Sequence, residues 1–274
     1  MSTTGDPVRQ HYERASEGGD LLAQVTQALS QLGESITSAQ LAGFDQFHTR
    51  GLAATVELGE LLGLQRHSEV LDAGSGLGGP SRFLAETCGC RVTGVDLVPG
   101  YVEIATLLAQ RCGLGDSVRY EVGDLAQLPF ADHHFDAVIT QHVVMNIRDR
   151  AQVYREIHRV LKPAGPFAFY DVLRADDAAE PTYPVPWAQT EATSVLLTEA
   201  QTRAALQQAG LIPEVWIDVT AKAVAWFAQP RPPSTAGLSL ATVMGPGFGQ
   251  MSANLARNLA EGRLRLVMAR CLST

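Results

Sequence analysis

The residues best suited to chemistry lie between Glu69 and Pro80, a stretch that reads EVLDAGSGLGGP. Its glycines stand at positions 74, 76, 78 and 79, and Asp72 precedes the first of them by two residues. Glycines at a strand-to-helix turn let backbone N–H groups approach a ligand closely, and the N-terminus of the following helix favours anionic groups. The stretch therefore predicts a ligand-binding loop.

The glycine spacing alone fits two kinds of loop. Gly74, Gly76 and Gly78 form the pattern GxGxG, whereas Gly74, Gly76 and Gly79 also satisfy the dinucleotide fingerprint GxGxxG. Asp72 favours a ligand with an ammonium group, because its carboxylate accepts hydrogen bonds from such a group and would repel a pyrophosphate. A nucleotide-hydrolysing P-loop is excluded, since the loop ends in GPS and offers no lysine for a phosphate.

Two further aspartates follow predicted strands. Asp96 ends the short apolar run 91–95, at the distance beyond the glycine loop where a doubly wound fold places the carboxylate that holds ribose hydroxyls. Asp124 follows the run 118–122, at the carboxyl edge of a third strand. A fourth run at 135–140 leads into Gln141, and a fifth spans 165–172.

In this order the five segments resemble the class I S-adenosylmethionine (SAM) dependent methyltransferases. The resemblance implies SAM as cofactor and S-adenosyl-L-homocysteine as its product. It also implies cofactor-binding roles for residues in and around these segments: Asp72, Gly74, Gly76 and Gly78 at the methionine part, Asp96 at the ribose, Asp124 and Leu125 at the adenine, and Leu97 and Gln141 beside them.

Within that family, the Gly-Gly-Pro of the loop and the stretch 142–147 look most like the sarcosine/dimethylglycine N-methyltransferase group. Gly-Gly-Pro also occurs in sterol-type methyltransferases, so both groups remain open at this point.

Histidines are the candidates for proton transfer. His142 follows the fourth strand, and an imidazole titrates near neutrality, so it is the first candidate for a general base. His48 lies in an N-terminal segment that resembles the family's acceptor-side entry, and it is the second. Tyr12 is predicted to close over the cofactor. For all three residues, ordinary packing or hydrogen bonding is the alternative interpretation.

The elements that must position these residues alternate between strand and helix from about residue 69 to 175. With later strands at 213–219 and 263–270, they predict a Rossmann-like, doubly wound, seven-stranded, mostly parallel sheet with helices on both faces. Residues 1–62 read as an N-terminal helical lid and 63–274 as the core, with cap elements at 175–191 and at 221–260, a helical insertion before the last strand. From the caps, Tyr183, Trp187 and Trp226 are predicted to bind the acceptor, with core packing as the alternative.

Composition limits the classes of function. The formal net charge of −8 over 274 residues and the lack of a basic stripe argue against a nucleic-acid partner. No apolar run is long enough for a membrane span, and the cysteines lack metal-ligand spacing. We therefore expect a metal-independent cytoplasmic enzyme with a small-molecule substrate, and a homodimer is one expectation for its assembly.

Two hypotheses for function follow. The first is a SAM-dependent methyltransferase whose acceptor is either a small amine of the sarcosine/dimethylglycine type or a secondary metabolite, including O- or C-methylation of a lipophilic natural product. The second is a SAM-binding, non-methylating enzyme of the cyclase type with an apolar cavity.

Overall fold

The computed structural model describes residue 12 and residues 21–33, 35–230 and 236–274. At its centre is one sheet with the strand order β3-β2-β1-β4-β5-β7-β6. The strands are β1 (Glu69–Ala73), β2 (Arg91–Asp96), β3 (Val118–Val122), β4 (Ala137–Gln141), β5 (Pro166–Arg174), β6 (Leu211–Asp218) and β7 (Leu264–Ser273).

Strands β1 to β5 run parallel to one another. Strand β7 runs antiparallel to both of its neighbours, β5 and β6. The predicted seven-stranded, mostly parallel sheet is therefore confirmed. Strand β1 pairs with β2 on one side and with β4 on the other, so the strand order reverses there. Open α/β sheets bind ligands in the crevice at the carboxyl ends of the strands beside such a reversal.

Helices cover both faces of the sheet, as predicted. They are α1 (Leu21–Ser30), α2 (Ser38–Asp45), α3 (Leu52–Leu62), α4 (Gly79–Cys88), α5 (Pro99–Arg111), α6 (Arg150–Val160), α7 (Glu199–Gln208), α8 (Thr220–Phe227), α9 (Leu240–Met244) and α10 (Phe248–Ala260). Alternate residues of one strand enter opposite cores: Val70 belongs to the same hydrophobic cluster as Leu58 of α3, whereas Leu71 belongs to the cluster that contains Ile157 of α6. This alternation follows from the two-residue period of a strand.

Strands β4 and β5 are buried on both faces, which explains their nearly continuous apolar sequences. Phe167 and Phe169 are 0% exposed, and burying such a side chain contributes roughly 1.5–3 kcal/mol. The fourth strand begins at Ala137 and not at the predicted residue 135. Phe135 forms only an isolated bridge to Leu161, because the chain is still entering the sheet there.

The first helices and the two cap elements surround the carboxyl end of the sheet. Leu58 and Leu62 of α3 belong to the same hydrophobic cluster as the strands, and the division of the chain at residue 62 stays a prediction. The cap at 175–191 is irregular, as its prolines predict, and α10 fixes its backbone. The amide of Asn258 bonds the N–H and the C=O of Thr182 at 2.8 and 2.9 Å, and Asn254 donates to the carbonyl of Pro184 at 2.9 Å.

Among the described residues, no helix combines the length and the apolar character that a membrane crossing requires.

Candidate cofactor and acceptor site

A cavity of about 1050 Å³ lies at the carboxyl ends of β1, β2 and β4. All but two of the residues predicted to bind cofactor or acceptor, and both candidate bases, line it: Tyr12, His48, Asp72, Gly74, Gly76, Asp96, Leu97, Asp124, Leu125, Gln141, His142, Trp187 and Trp226. Gly78 and Tyr183 are absent from this lining. Pockets of roughly 300–1,000 Å³ hold one drug-sized ligand, so this cavity has room for a cofactor and an acceptor together.

Backbone hydrogen bonds hold the glycine loop against the end of β2. The N–H groups of Gly74 and Ser75 both donate to the carbonyl of Val95, at 2.8 and 3.0 Å. Gly74 has φ +84°, and a Cβ atom there would lie 2.4 Å from a methyl group of Val143. The backbone of Gly74 therefore contacts the side chain of Val143, in the segment after β4, and no larger residue fits at position 74.

Gly78 contacts a neighbouring strand. It is the N-cap residue of α4, with φ +74°, and a Cβ atom there would lie 2.1 Å from the Tyr120 hydroxyl oxygen. That hydroxyl donates to the Gly78 carbonyl at 3.1 Å. Gly78 therefore packs against Tyr120 of β3, and a cofactor-binding role for Gly78 stays a prediction.

Asp72 is the buried acid of the cavity floor. It is 2% exposed, and its Oδ2 accepts a hydrogen bond from Ser81 Oγ at 2.5 Å. Burial raises the pKa of its carboxyl to about 6, and the neighbouring Asp96 carboxylate adds to that rise. The side chain can therefore change charge close to neutral pH.

The side chains of Asp96 and Asp124 both accept hydrogen bonds from nearby backbone N–H groups. Asp96 accepts from the N–H of Gly76 at 2.8 Å and from the N–H of Val98 at 3.0 Å, and burial raises the pKa of its carboxyl. Asp124 is exposed and accepts from the N–H of Ala126 at 2.8 Å. Asp96 thus ties the glycine loop to the turn after β2.

Tyr12 links the N-terminal part to the segment after β4. Its hydroxyl donates to Asn146 Oδ1 at 3.4 Å, and its ring lies edge-on to Tyr101 with 6.4 Å between centroids. Burial raises the pKa of its phenol.

His142 stands in a constrained turn. Its φ is +55°, unusual for a residue with a Cβ, and its N–H donates to the carbonyl of Tyr170 at 2.7 Å. Its ring lies 4.8 Å from that of Tyr170, and its Nε2 is buried without a hydrogen-bond partner among the described residues. Burial lowers the pKa of the imidazole well below its usual value, and His48 lowers it further.

His48 is the second neutral imidazole of the site. It is 5% exposed, its ring centroid lies 6.1 Å from that of His142, and burial lowers its pKa to about 4. Its Nε2 lies 3.1 Å from the carbonyl of Gly51. A carbonyl only accepts, so Nε2 carries the proton and Nδ1 is the nitrogen with a free lone pair.

The other end of the cavity is apolar. The lining residues that come from the range 186–255 are all uncharged: Pro186, Trp187, Gln189, Ala192, Thr193, Val195, Trp226, Phe227, Leu240, Met244, Gly245, Pro246, Gly247, Phe248, Met251, Ser252 and Leu255. Of these, Phe248, Met251, Ser252 and Leu255 form one face of α10. Their i, i+3, i+4, i+7 spacing is the sequence signal that identifies this face of the helix.

Tyr183 does not reach this wall. With the backbone of Thr182 fixed by Asn258, its ring packs against the hydrophobic cluster on one face of the sheet, and partial burial raises the pKa of its phenol. Trp187 and Trp226 line the cavity, whereas Tyr183 is absent from its lining, and an acceptor-binding role for Tyr183 stays a prediction.

Charge is concentrated at the glycine-loop end. The charged lining residues in the described part of the chain are Asp45, Asp72, Asp96, Asp124 and Arg148. SAM carries an ammonium and a sulfonium against one carboxylate, so an acidic end with a glycine cradle fits it. No group of three His, Cys, Asp or Glu side chains with metal-binding geometry occurs within the described ranges.

Comparison with known proteins agrees with this geometry. Residues 71–169 match the family described as "Methyltransferase domain". Sterol 24-C-methyltransferase ERG6B of Gibberella zeae is 37% identical over 115 residues, which are 42% of this chain and 30% of that protein. The match thus spans under a third of the relative's length.

Three solved structures share the fold. A geranyl diphosphate C-methyltransferase from Streptomyces coelicolor A3(2) has TM-score 0.68 and 19% identity, covering 81% of this chain and 79% of its own. The [4+2]-cyclase SpnF has TM-score 0.67 and 20% identity, covering 94% of each chain. A putative sarcosine dimethylglycine methyltransferase from Galdieria sulphuraria has TM-score 0.61 and 18% identity, covering 81% and 84%. Residues 71–169 therefore match a methyltransferase domain, and the chain shares its fold with the two methyltransferases and the cyclase.

Proposed function

We propose that this protein transfers the methyl group of SAM to a bulky, uncharged, apolar small molecule that loses one proton on methylation. The observation that carries the proposal is a single cavity with an acidic glycine-loop end, an uncharged apolar end and two neutral histidines along its wall.

Each end suits one ligand. Asp72, Gly74 and Gly76 would hold the methionine part of SAM, Asp96 and Leu97 the ribose, and Asp124 and Leu125 the adenine. Gln141 and Tyr12 would close the cofactor end. When bound, SAM supplies a methyl group made electrophilic by its sulfonium. The chain's own contribution is to orient both ligands, exclude water and accept one proton.

The proton acceptor is one of the two histidines. Both are neutral at pH 7, because burial lowers the pKa of each imidazole. His48 offers Nδ1 as its free lone pair, since Nε2 is bonded to Gly51. His142 lies on the segment that contacts the glycine loop through Val143. We therefore propose His48 and His142 as the candidate bases.

The apolar end argues against an acceptor with a carboxylate or a phosphate. An anion buried without a partner costs several kcal/mol. The sarcosine-type amine needs a cationic clamp. Arg50 pairs with Glu57 and Arg174 pairs with Glu180, and neither lines the cavity. Arg148 lines it, but as part of the segment after β4 and outside the range 186–255 that supplies the uncharged lining. Large rings of the secondary-metabolite type fit better.

A non-methylating cyclase is the second candidate. The same apolar enclosure would hold a large substrate in a folded conformation, with SAM as a structural part of the cavity. The two functions differ in one product, because only methyl transfer releases S-adenosylhomocysteine. The expectations of a cytoplasmic location, a homodimer and a metal-independent reaction stay predictions.

Incubation with methyl-labelled SAM and a panel of neutral polycyclic or macrocyclic alcohols, phenols and prenyl compounds tests the proposal. Small amino acids and phosphorylated amines form the contrasting set. Labelled neutral products, with turnover reduced at least about tenfold in His48→Ala or His142→Ala, support it. His134→Ala is the control, because His134 is exposed and precedes β4. Binding of SAM without any labelled product would favour the cyclase.

A further inference from the structure

We infer that Thr55 is a positioning residue, which acts together with the Gly51 carbonyl to hold the hydrogen of His48 on Nε2 and ties that ring to the amide of Gln141 at the end of β4. Thr55 lies near the start of α3, is 0% exposed and does not line the cavity. Its hydroxyl lies within hydrogen-bonding distance of three side chains that come from two different parts of the chain.

The distances fix the direction of each bond. Thr55 Oγ1 lies 2.7 Å from Gln46 Oε1, 3.1 Å from His48 Nε2 and 3.3 Å from Gln141 Nε2. A hydroxyl has one hydrogen to donate and two lone pairs to accept with. The shortest contact joins it to a carbonyl oxygen, which can only accept, so the hydrogen points to Gln46. His48 and Gln141 must then both donate to Thr55.

This arrangement determines which nitrogen of His48 is protonated. Nε2 faces Gly51 O at 3.1 Å and the lone pairs of Thr55 at 3.1 Å, and both partners require an N–H at that nitrogen. Nδ1 is left as the unprotonated nitrogen of a ring that lines the cavity. If Nδ1 binds the proton that the acceptor releases, Nε2 keeps its own hydrogen and both bonds.

The same hydroxyl orients the amide of Gln141. Gln141 is 8% exposed, lines the cavity and directly precedes His142. Both amide atoms of Gln141 lie near the Thr55 hydroxyl, Nε2 at 3.3 Å and Oε1 at 3.4 Å, and because the hydroxyl hydrogen points to Gln46, the NH₂ group is the one that bonds. The Thr55 hydroxyl on α3 is therefore hydrogen-bonded to side chains from the N-terminal segment and from β4. Each candidate base lies in or directly after one of these two segments.

The local backbone explains why Thr55 reaches this point. Gly51 has φ +51° and begins α3, and it accepts hydrogen bonds from the N–H groups of Ala54 and Thr55 at 2.9 and 3.4 Å. The chain thereby folds back, so that the first turn of α3 faces the ring of His48. Packing alone would be served by valine, which has the shape of threonine without its hydroxyl.

The test compares Thr55→Val, Thr55→Ser and wild type as full-length proteins. Long-range ¹H–¹⁵N spectra of the histidine rings report the tautomer of His48, with its signals assigned from His48→Ala. Thr202→Val is the matched control, because Thr202 is equally buried and donates to Thr198 O at 2.9 Å in α7. SAM affinity is measured by calorimetry, and turnover is measured with any acceptor found above.

We expect wild type and Thr55→Ser to show one tautomer with hydrogen on Nε2, and Thr55→Val, in which only the Gly51 carbonyl still favours that tautomer, to show a measurable share of the second. We expect kcat of Thr55→Val to fall about tenfold, with the dissociation constant for SAM within about twofold and Thr202→Val unchanged. The kcat part rests on the proposed function, whereas the tautomer part does not. A wild-type ring with hydrogen on Nδ1, or an unchanged spectrum in Thr55→Val, overturns the inference. A changed tautomer with unchanged kcat would count against His48 as the base.

Discussion

Asp45 and Arg82 form an ion pair that is sealed from solvent, with Oδ2 and Nη2 2.5 Å apart and both side chains 0% exposed. The pair joins the end of α2 to α4, the helix that follows the glycine loop. Arg82 also donates to the carbonyl of Leu77, within that loop, at 2.8 Å. On the other side, the backbone oxygen of Asp45 lies 2.7 Å from the place where Gly79 would carry a Cβ. The N-terminal segment and the loop therefore hold each other in position.

Removal of one partner of this pair should be costly. In Arg82→Met the carboxylate of Asp45 stays buried without its cation, which lowers the free energy of unfolding by about 3–5 kcal/mol. The SAM dissociation constant should rise as well, since Leu77 loses its partner. Urea unfolding and calorimetry measure the two effects.

An exposed pair and a double variant are the controls. Arg265 of β7 and Asp218 of β6 form an exposed ion pair, and Arg265→Met should change the unfolding free energy by at most about 1 kcal/mol. Asp45→Leu combined with Arg82→Met removes both charges and should recover part of the lost stability. Equal losses in the single and double variants would show that shape, and not charge, governs this contact.

The sequence predicted the strand-end groups well because their positions follow from local rules. Asp72, Asp96 and Asp124 end or follow parallel strands, and such ends meet at one edge of a sheet whatever the remaining chain does. The partners of Asp45 and Thr55 follow no such rule. Arg82 is 37 residues from Asp45, and Gln141 is 86 residues from Thr55, so only the packed structure brings them together.

Gly78 and Tyr183 are the two predicted binding residues that do not line the cavity, and the reason is the same for both. Gly78 belongs to the glycine pattern, but the hydroxyl of Tyr120 on a neighbouring strand decides what it contacts. Tyr183 belongs to an aromatic cap, but the hydrogen bonds of Asn258 decide where the cap backbone lies. Sequence spacing carries no information about either partner.

Gly74→Ala should abolish most SAM binding. A Cβ at Gly74 would lie 2.4 and 2.6 Å from the two methyl groups of Val143, and φ is +84° there. The substitution therefore strains the loop and displaces the segment that carries His142, and we expect SAM affinity to fall at least about tenfold. Gly43→Ala in α2 is the control, because a Cβ there meets nothing within 4 Å. Its stability should stay equal or rise by up to about 1 kcal/mol. Wild-type affinity in Gly74→Ala would refute the role of this close contact.

SAM affinity should rise with pH through the titration of Asp72. Its pKa is raised from 3.8 to about 6, first by burial, so the carboxyl is neutral at pH 5 and ionised at pH 7. The stability of the protein without SAM has the opposite pH dependence. Because the pKa is raised in the folded state, the free energy of unfolding is highest below about pH 4. It falls by about 2–3 kcal/mol as the pH rises through 6. A bound ammonium favours the ionised form and so binds better at high pH.

Calorimetry from pH 5 to 8 in wild type and Asp72→Asn checks this dependence. The variant should bind more weakly at pH 7 and should lose most of the slope. Asp116→Asn, at an exposed position outside the cavity, should behave as wild type. If the pH dependence of SAM affinity persists in Asp72→Asn, it must be assigned to Asp96 instead. Burial also raises the pKa of the Asp96 carboxyl.

The aromatic residues of the caps should separate into those that bind the acceptor and those that support the fold. Trp226 lines the apolar end of the cavity, so Trp226→Ala should weaken binding of a neutral apolar ligand by about 1–3 kcal/mol, roughly 5- to 150-fold, while SAM affinity stays the same. Tyr183 packs outside the cavity, and Tyr183→Phe should leave both affinities within about twofold. Nile red fluorescence titrations of the SAM-saturated protein measure the apolar site without knowledge of the natural acceptor. Equal weakening in both variants would mean that the caps act as one packed unit and that Trp226 has no separate contact with the ligand.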